Sequence, residues 1–310
     1  MTTENHQNRT GLSCKICSGT SLEFICETEN SHGTTRTIEN FRCRRCGLVF
    51  VANEFTDDEL GAAYGSLDST DYYAEIAREN REKMRAAAAN ILKFAPSDAR
   101  VIDIGTGDGE FLRVMDESGF TRVSGHEIPG ADLSGVKGIA ENIYEDFDYS
   151  SIPGESFDVV TMLDVVEHVR DPKFLLSQCH RILKPGGHVY FHTPVVTRTD
   201  RAMHRLAKLP PTRRVSQLWQ RGRTSVFHLQ NYTRVALSKL IKDTGFRLVD
   251  LEVRNELSWP VGRYVRVYLT DKAGLPAAAS RLLSPVFYPF LATNLFNANK
   301  SIVTAQKPKT

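Results

Sequence analysis

The sequence lacks three features that would place it in common protein classes. No apolar run reaches the roughly 20 residues needed to cross a bilayer, and the longest apolar-rich segment, residues 282–296, contains prolines. The polar residues 1–11 have no apolar core typical of a signal peptide. The net charge is only +2, which excludes a strong global field for nucleic acid. We therefore expect a cytoplasmic protein with one α/β domain and an appendage.

Cysteine is scarce, and four of the six cysteines form two pairs with the same spacing. Cys14 and Cys17 form one C-x-x-C pair, Cys43 and Cys46 form the other, and glycine follows each pair closely. Two such knuckles are typical of a four-cysteine zinc site, although two redox pairs or buried thiols remain alternatives. Four protein ligands leave no position for water, so the predicted zinc is structural. The strand-like pieces 22–25 and 35–38 between the pairs indicate a zinc ribbon.

Residues 101–109 combine a short apolar strand, an acid and three alternating glycines, and a helix-like segment follows. The dinucleotide fingerprint G-x-G-x-x-G and the Gly-Lys-Ser/Thr of a Walker loop are both missing there. Glycine allows a ligand, or the helix itself, to approach the backbone closely. The first turn of the helix offers free N–H groups to an electron-rich ligand. This turn is therefore a candidate nucleotide-type site.

Three further patterns follow in the order of an α/β fold. Residues 122–127 read as a second strand that ends in Glu127, about twenty residues beyond the glycine turn, where dinucleotide folds place an acid that binds ribose. Residues 157–164 form an apolar run typical of a buried parallel strand, and residues 165–169 are predicted to start a helix. Leu-Lys-Pro-Gly-Gly at 183–187 is predicted to turn the chain into a strand at 188–193.

Together these motifs resemble class I S-adenosylmethionine (SAM) dependent methyltransferases of the quinone, sugar and natural-product type. The resemblance implies a doubly wound, seven-stranded Rossmann-like sheet whose last strand is antiparallel, beside the small zinc-binding module. It also implies that SAM contacts Asp103, Gly105, Thr106, Gly107, Gly109, Glu127, Asp146, Leu163 and Asp164. Asp148 competes with Asp146 for the adenine position. Tyr64, Tyr72 and Tyr73 are candidates for an aromatic cap over the cofactor or for ordinary packing.

A hydroxyl acceptor needs a base that takes its proton, and histidine suits this role near neutral pH. His228 precedes the sixth-strand helix in a segment that resembles the acceptor-facing segment of relatives, and we rank it first. His168, which follows the fourth strand, ranks second, ahead of Asp164 and His192 at strand ends. The alternatives are that His168 packs its helix and that His228 fixes a lid.

Residues 198–223 contain eight arginines and lysines and one aspartate, a local charge of +7 that leaves about −5 for the rest of the chain. We expect this basic segment to be a lid that holds an anionic acceptor. Nucleic acid, an anionic membrane surface and a solvated loop are alternatives to this lid.

The insertion before the last strand could form a dimer contact, line the acceptor pocket or touch a membrane. Oligomeric state stays open.

The predicted organisation has four parts: a zinc-ribbon-like module (1–54), a linker with a leading helix (55–97), a SAM-binding core with a basic lid at 195–230 (98–256), and an insertion with the last strand (257–310). The predicted activity is methyl transfer from SAM to a hydroxyl of a sugar, glycan precursor or natural-product intermediate. The alternative is an RNA- or protein-directed methyltransferase that uses the ribbon and the basic lid for recognition. A non-catalytic SAM-binding scaffold is disfavoured by the intact Asp103, glycine turn and Glu127.

Overall fold

The chain divides into two compact units, each made of several chain segments. The computed structural model describes residues 11–29, 37–53, 55–56, 69–131, 133–136, 138–225, 227–256, 261–266 and 277–309. Unit 1 comprises residues 1–70, 194–237 and 253–301, and unit 2 comprises residues 71–193, 238–252 and 302–310. The zinc-ribbon-like module, the basic segment and most of the late insertion thus belong to one unit.

The described residues form eleven strands and nine α-helices. The strands are β1 (Leu22–Glu29), β2 (Thr37–Cys43), β3 (Val49–Val51), β4 (Val101–Ile104), β5 (Val123–Glu127), β6 (Ile143–Glu145), β7 (Phe157–Leu163), β8 (Leu183–Pro194), β9 (Gln230–Asn231), β10 (Arg247–Arg254) and β11 (Lys300–Gln306). The helices are α1 (Ser69–Ile91), α2 (Glu110–Glu117), α3 (Pro172–Ile182), α4 (Arg198–Leu206), α5 (Arg213–Arg221), α6 (Arg234–Asp243), α7 (Val261–Val265), α8 (Ala277–Ala292) and α9 (Asn294–Asn297). None of these helices is both long and apolar enough to cross a bilayer.

The large sheet of unit 2 has the strand order β10-β11-β8-β7-β4-β5-β6. Strand β4 is parallel to β5 and β7, and the pairs β5–β6 and β7–β8 are also parallel. Strand β11 runs antiparallel to β8. The Lys307 N–H donates to the Gly187 carbonyl near one end of the pair, and the Val195 N–H donates to the Asn299 carbonyl near the other end. The predicted seven-stranded Rossmann-like sheet is therefore confirmed, with an antiparallel last strand. Ligands of such sheets bind beyond the carboxyl ends of the strands.

Two local predictions in unit 2 are wrong. Residues 165–169 form a turn rather than a helix, and α3 begins only after Asp171, whose Oδ1 accepts from two backbone N–H groups of the first helical turn at 3.0 Å. Strand β8 begins at Leu183 rather than at 188. Its pairing with β7 jumps from Phe157–Leu183 to Val159–His188, so the glycine-containing stretch between them is accommodated as a bulge.

The small sheet of unit 1 has the order β1-β2-β3-β9 and is antiparallel throughout. Strand β9 comes from the chain that follows the basic segment, and it pairs with β3 through Val49–Asn231 and Phe50–Gln230. The predicted piece 22–25 lies within the longer strand β1, and residues 37–38 of the second piece begin β2, while residues 35–36 lie outside the described part of the chain. A ribbon from the start of the chain is thus extended by a strand from its later part.

Buried amide and hydroxyl groups join the ribbon to the basic segment inside unit 1. The Asn40 amide on β2 donates to the Cys26 carbonyl at 3.3 Å, and its oxygen accepts from Gln220 at 3.4 Å and from the Thr224 hydroxyl. Asn40, Gln220 and Thr224 are all buried, so each needs these partners. The segment 198–223 is therefore mostly helical and attached, rather than a solvated loop.

Candidate functional site

The glycine turn after β4 holds three glycines in the left-handed region, with φ of 74° at Gly105, 54° at Gly107 and 79° at Gly109. A Cβ at Gly109 would lie 2.0 Å from Val136 Cγ1, and one at Gly105 would lie 2.7 Å from Val165 Cγ2. A Cβ at Gly107 would meet no atom within 4 Å. The outer glycines therefore allow close packing, whereas the middle one faces open space where a ligand fits.

Asp103, on β4, is buried, and its Oδ1 accepts a hydrogen bond of 2.6 Å from the Thr161 hydroxyl on β7. Burial raises the pKa of Asp103 to about 7, and the charge of Glu127 adds to this effect while the Thr161 bond opposes it. A cationic ligand group at this position would favour the ionised carboxylate. Thr161 was missed by the sequence reasoning, since a threonine in an apolar strand gives no distinct signal.

Glu127, at the end of β5, is connected directly to the glycine turn. One carboxylate oxygen accepts from the Gly107 N–H at 2.9 Å, and the other accepts from the Ile128 N–H at 2.9 Å. The predicted ribose-binding acid and the middle glycine are thus brought together. A carboxylate oxygen accepts more than one hydrogen bond, so this side chain keeps capacity for ligand hydroxyls.

Asp146 follows β6 and organises its own loop. Its carboxylate accepts from the Ser151 N–H at 2.9 Å, the Tyr149 N–H and the Ser151 hydroxyl, and His126 Nε2 lies 3.2 Å away. Although partial burial acts in the opposite direction, these hydrogen bonds lower the pKa of Asp146 to about 2. Asp148 is exposed and accepts from the Ser150 N–H at 3.1 Å. Asp146 is the more rigidly held of the two adenine candidates.

The remaining donor-site candidates lie at the same edge of the large sheet. Thr106 is buried, and its N–H donates to the His126 carbonyl at 3.1 Å. Leu163 is half-buried at the end of β7. Asp164 has a φ of 59°, and its N–H donates to the His192 carbonyl at 3.2 Å. The left-handed residue turns the chain sharply after the strand.

The aromatic-cap candidates cannot be placed. Tyr64 lies outside the described residues. Tyr72 and Tyr73 lie on α1, but their side chains are also outside the described part of the chain.

The candidate bases occur in different units. His168 is half-buried in unit 2, in the turn after β7, and its N–H donates to the Val165 carbonyl at 2.9 Å. His228 is half-buried in unit 1, and its N–H donates to the Ser225 hydroxyl at 3.1 Å. His192 is buried, with Nε2 2.9 Å from the Tyr190 hydroxyl. The roles of His168 and His228 stay predictions.

Comparison with known proteins decides the family. A family model described as "Methyltransferase domain" matches residues 76–251. The chain belongs to this methyltransferase family. The predicted enzyme class is therefore confirmed, and SAM as methyl donor agrees with it.

Individual relatives cover smaller parts of the methyltransferase. The ubiquinone biosynthesis O-methyltransferase of Idiomarina loihiensis is 36% identical over 102 residues, which are 30% of this chain and 42% of that protein. The enzyme of the same name from Pseudomonas syringae pv. tomato is 38% identical over 103 residues, which are 30% of this chain and 44% of that protein. The matched segment thus spans less than half the length of these relatives. A SAM-dependent methyltransferase structure from Archaeoglobus fulgidus aligns with a TM-score of 0.49 and 20% identity over 76% of this chain and 100% of that one.

The methyltransferase has a four-cysteine centre in unit 1. The Sγ atoms of Cys14, Cys17, Cys43 and Cys46 are buried and lie within 4.8 Å of one another. The Cys14–Cys46 and Cys17–Cys43 sulfur distances are 3.5 and 3.4 Å, close to the roughly 3.8 Å edge of a zinc–sulfur tetrahedron. The hydrogen bond between Cys14 and Cys46 lowers the pKa of Cys14 and raises the pKa of Cys46. The donor set fits structural zinc.

Thr233, which sequence reasoning missed, fixes the second knuckle. Its hydroxyl donates to the Cys46 carbonyl at 2.5 Å and accepts from the Ala236 N–H at 3.1 Å in the first turn of α6. Gly47 has a φ of 77°, and a Cβ there would lie 2.9 Å from Thr233 Cγ2. The glycine after the cysteine pair therefore allows Thr233 to approach the knuckle.

The basic segment has fewer unpaired charges than its composition suggests. Lys208 pairs with Glu23, Arg221 lies 3.6 Å from Glu29, and Arg223 lies 3.1 Å from Asp200. The cations with no ion-pair partner among the described residues are Arg198, Arg201, Arg205, Arg213 and Arg214. Part of the local charge therefore holds unit 1 together.

Proposed function

We propose that this methyltransferase transfers the methyl group of SAM to a hydroxyl of a small sugar, glycan precursor or natural-product intermediate. The observation that carries the proposal is the arrangement of Asp103 and Glu127 around the Gly107 turn. A buried carboxylate suits the methionine ammonium group, and the strand-end carboxylate suits two ribose hydroxyls. The O-methyltransferase names of the curated relatives support oxygen as the methylated atom.

The reaction is an in-line displacement at the methyl carbon. The acceptor oxygen forms a bond to carbon while the carbon–sulfur bond breaks, and the sulfonium becomes the neutral thioether of S-adenosylhomocysteine. The acceptor proton passes to a base, for which His228 is the first candidate and His168 the second. The protein contributes alignment and proton removal.

We test the base by replacing His228 and His168 separately with glutamine. Loss of a general base lowers kcat by about 10² to 10⁴, with little change in SAM affinity. A His228→Gln variant with unchanged kcat and an unchanged pH profile would remove His228 from this role.

Arg213 and Arg214, at the first two positions of α5, are the candidates for holding an anionic acceptor. The helix has no acid in its first turn, and its N-terminus is itself positive. Two arginines at this end are unfavourable unless an anion compensates them. Replacing both with glutamine should raise the acceptor KM about tenfold or more at unchanged SAM affinity.

The donor site is tested by calorimetry with SAM, using Glu127→Gln and a matched Glu145→Gln control. Glu145 pairs with Glu127 across β5 and β6 and is also an acid at the end of its strand. We expect Glu127→Gln to weaken SAM binding at least tenfold and the control to leave it unchanged. Equal affinities in all three proteins would refute the assigned donor site.

The acceptor class is tested with tritiated-methyl SAM. The panel contains nucleotide sugars, phenolic carboxylic acids, transfer RNA and a protein extract. Incorporation into a small molecule supports the proposal. Incorporation into RNA or protein alone would favour the alternative, an enzyme that recognises a macromolecule through the ribbon and the basic segment.

A further inference from the structure

Helix α8 of unit 1 has apolar residues on two adjacent faces. Leu283, Phe287 and Leu291 pack with the cluster that contains Val261 and Val265 of α7. On the adjacent face, about 100° around the helix, lie Leu282, Val286 and Phe290, which are 78%, 59% and 44% exposed. The solvent side of a surface helix is normally polar. Phe290 contacts the ring of Phe296, with ring centroids 5.2 Å apart, while Leu282 and Val286 stay more than half exposed among the described residues.

Two prolines lie on the same outer stripe. Pro285 and Pro289 are inside α8 and exposed, and proline has no N–H to donate to the carbonyl one turn earlier. The carbonyls of residues 281 and 285 therefore lack their usual helical partners. Burying a carbonyl without a hydrogen-bond donor in a hydrocarbon core or a dry protein contact costs free energy, whereas water can hydrate the same carbonyl at a membrane surface.

A basic helix lies at the C-terminal end of this stripe. The Thr199 hydroxyl of α4 is 3.3 Å from the Phe290 carbonyl and 3.2 Å from the Phe296 carbonyl. Arg198, Arg201 and Arg205 are exposed and follow the i, i+3, i+7 spacing of one α4 face. Arg281 is also exposed, at the other end of the stripe. The apolar surface thus has cationic side chains at both ends.

We propose that the outer stripe of α8, Leu282, Pro285, Val286, Pro289 and Phe290, docks on an anionic lipid bilayer and that the α4 arginines contact its headgroups. An apolar face with adjacent cations is the combination that binds such surfaces, and the helix lies in the interface rather than crossing it. A second copy of the chain would bring further arginines to the contact, whereas anionic headgroups neutralise them. The charge therefore favours lipid as the occupant.

The test is sedimentation of the full-length, zinc-loaded protein with vesicles of phosphatidylcholine alone or with 30% phosphatidylglycerol. The variant Leu282→Asp/Val286→Asp places two acids on the stripe. The matched control is Val235→Asp on α6, because Val235 is 61% exposed and Val286 is 59% exposed. All substituted side chains are exposed, and circular dichroism and zinc content check folding.

We expect the wild type and Val235→Asp to bind the anionic vesicles, and the double variant to bind them at least tenfold more weakly. Arg198→Gln, Arg201→Gln and Arg205→Gln should each lower binding about fivefold at low salt. A triple Lys93, Lys242 and Lys309 to Gln control removes exposed charges elsewhere and should retain most of the binding.

Three outcomes would overturn the proposal. The first is no binding of the wild type to anionic vesicles, and the second is equal binding of the double variant. The third is a dimer in sedimentation velocity that Leu282→Asp/Val286→Asp converts to a monomer, with no vesicle binding, which would make a second copy the occupant. A failed SAM-binding assay would refute the proposed donor site without affecting these measurements.

Discussion

Unit 2 and unit 1 keep their chemically important side chains in place by different means. In unit 2, Asp103 and Glu127 lie at the ends of adjacent parallel strands, and the backbone turn between the strand and helix α2 brings them together. In unit 1, Asn40, Gln220 and Thr224 meet although about 180 residues separate the first from the others. Adjacent strands and a glycine turn position the acids in unit 2, whereas side-chain hydrogen bonds between segments about 180 residues apart position the polar groups in unit 1.

The largest expected effect tests whether the cysteine centre stabilises unit 1. Cys43→Ser should abolish stoichiometric zinc and lower the unfolding free energy by several kcal/mol, because structural zinc binding contributes directly to folding. Zinc content by mass spectrometry and thermal unfolding measure both effects. The control is Cys26→Ala, a buried cysteine outside the four-sulfur cluster. One zinc per chain in Cys43→Ser would contradict the assignment.

The next effect tests whether backbone geometry is decisive in unit 2. Gly109→Ala combines a left-handed φ with a Cβ 2.0 Å from Val136, so we expect a loss of about 3 kcal/mol in the free energy of unfolding. Gly107→Ala also places an alanine at a left-handed φ, but its Cβ would meet no atom within 4 Å. This variant should therefore lose only about 1 kcal/mol in the free energy of unfolding. Urea unfolding compares the two. Equal losses would mean that close packing at Gly109 is unimportant.

The smallest effect concerns Asp103 and rests on its pKa of about 7. On the proposed donor role, in which ionised Asp103 binds the SAM ammonium group, SAM affinity should rise as the pH rises through 7, by roughly five- to tenfold between pH 6 and pH 7.5. Calorimetry at the two pH values measures this change. Asp103→Asn should bind weakly and lose most of the pH dependence. A wild type with pH-independent affinity would show that Asp103 is already ionised or does not contact the ligand.

The sequence predicts the parts of the molecule that depend on local pattern. The seven-stranded sheet with its antiparallel last strand, the glycine turn and the four-cysteine cluster follow from spacing and from family resemblance, and the structure has all three. The predicted helix at residues 165–169 fails for a local reason: Asp164 adopts a left-handed φ of 59° and turns the chain before a helix can start.

Contacts between distant segments could not be predicted. Strand β9 is only two residues long, and its place beside β3 depends on the pairing of Val49 with Asn231 rather than on any strand-like pattern. Thr233 approaches the second cysteine knuckle because Gly47 leaves room for it. The local charge of the basic segment also overstated its number of unpaired cations. A count of charges could not indicate that Lys208 pairs with Glu23 and that Arg223 pairs with Asp200.

The Asn40–Thr224 contact has a consequence for the order of events during synthesis. Asn40 leaves the ribosome long before Thr224, which lies 184 residues later in the chain. While the strands from β4 to β8 are made, the Asn40 amide N–H groups already have partners in the ribbon, but its side-chain oxygen still lacks Gln220 and Thr224. Arrested nascent chains that end before residue 220 should bind zinc yet remain more sensitive to protease in the ribbon than released chains.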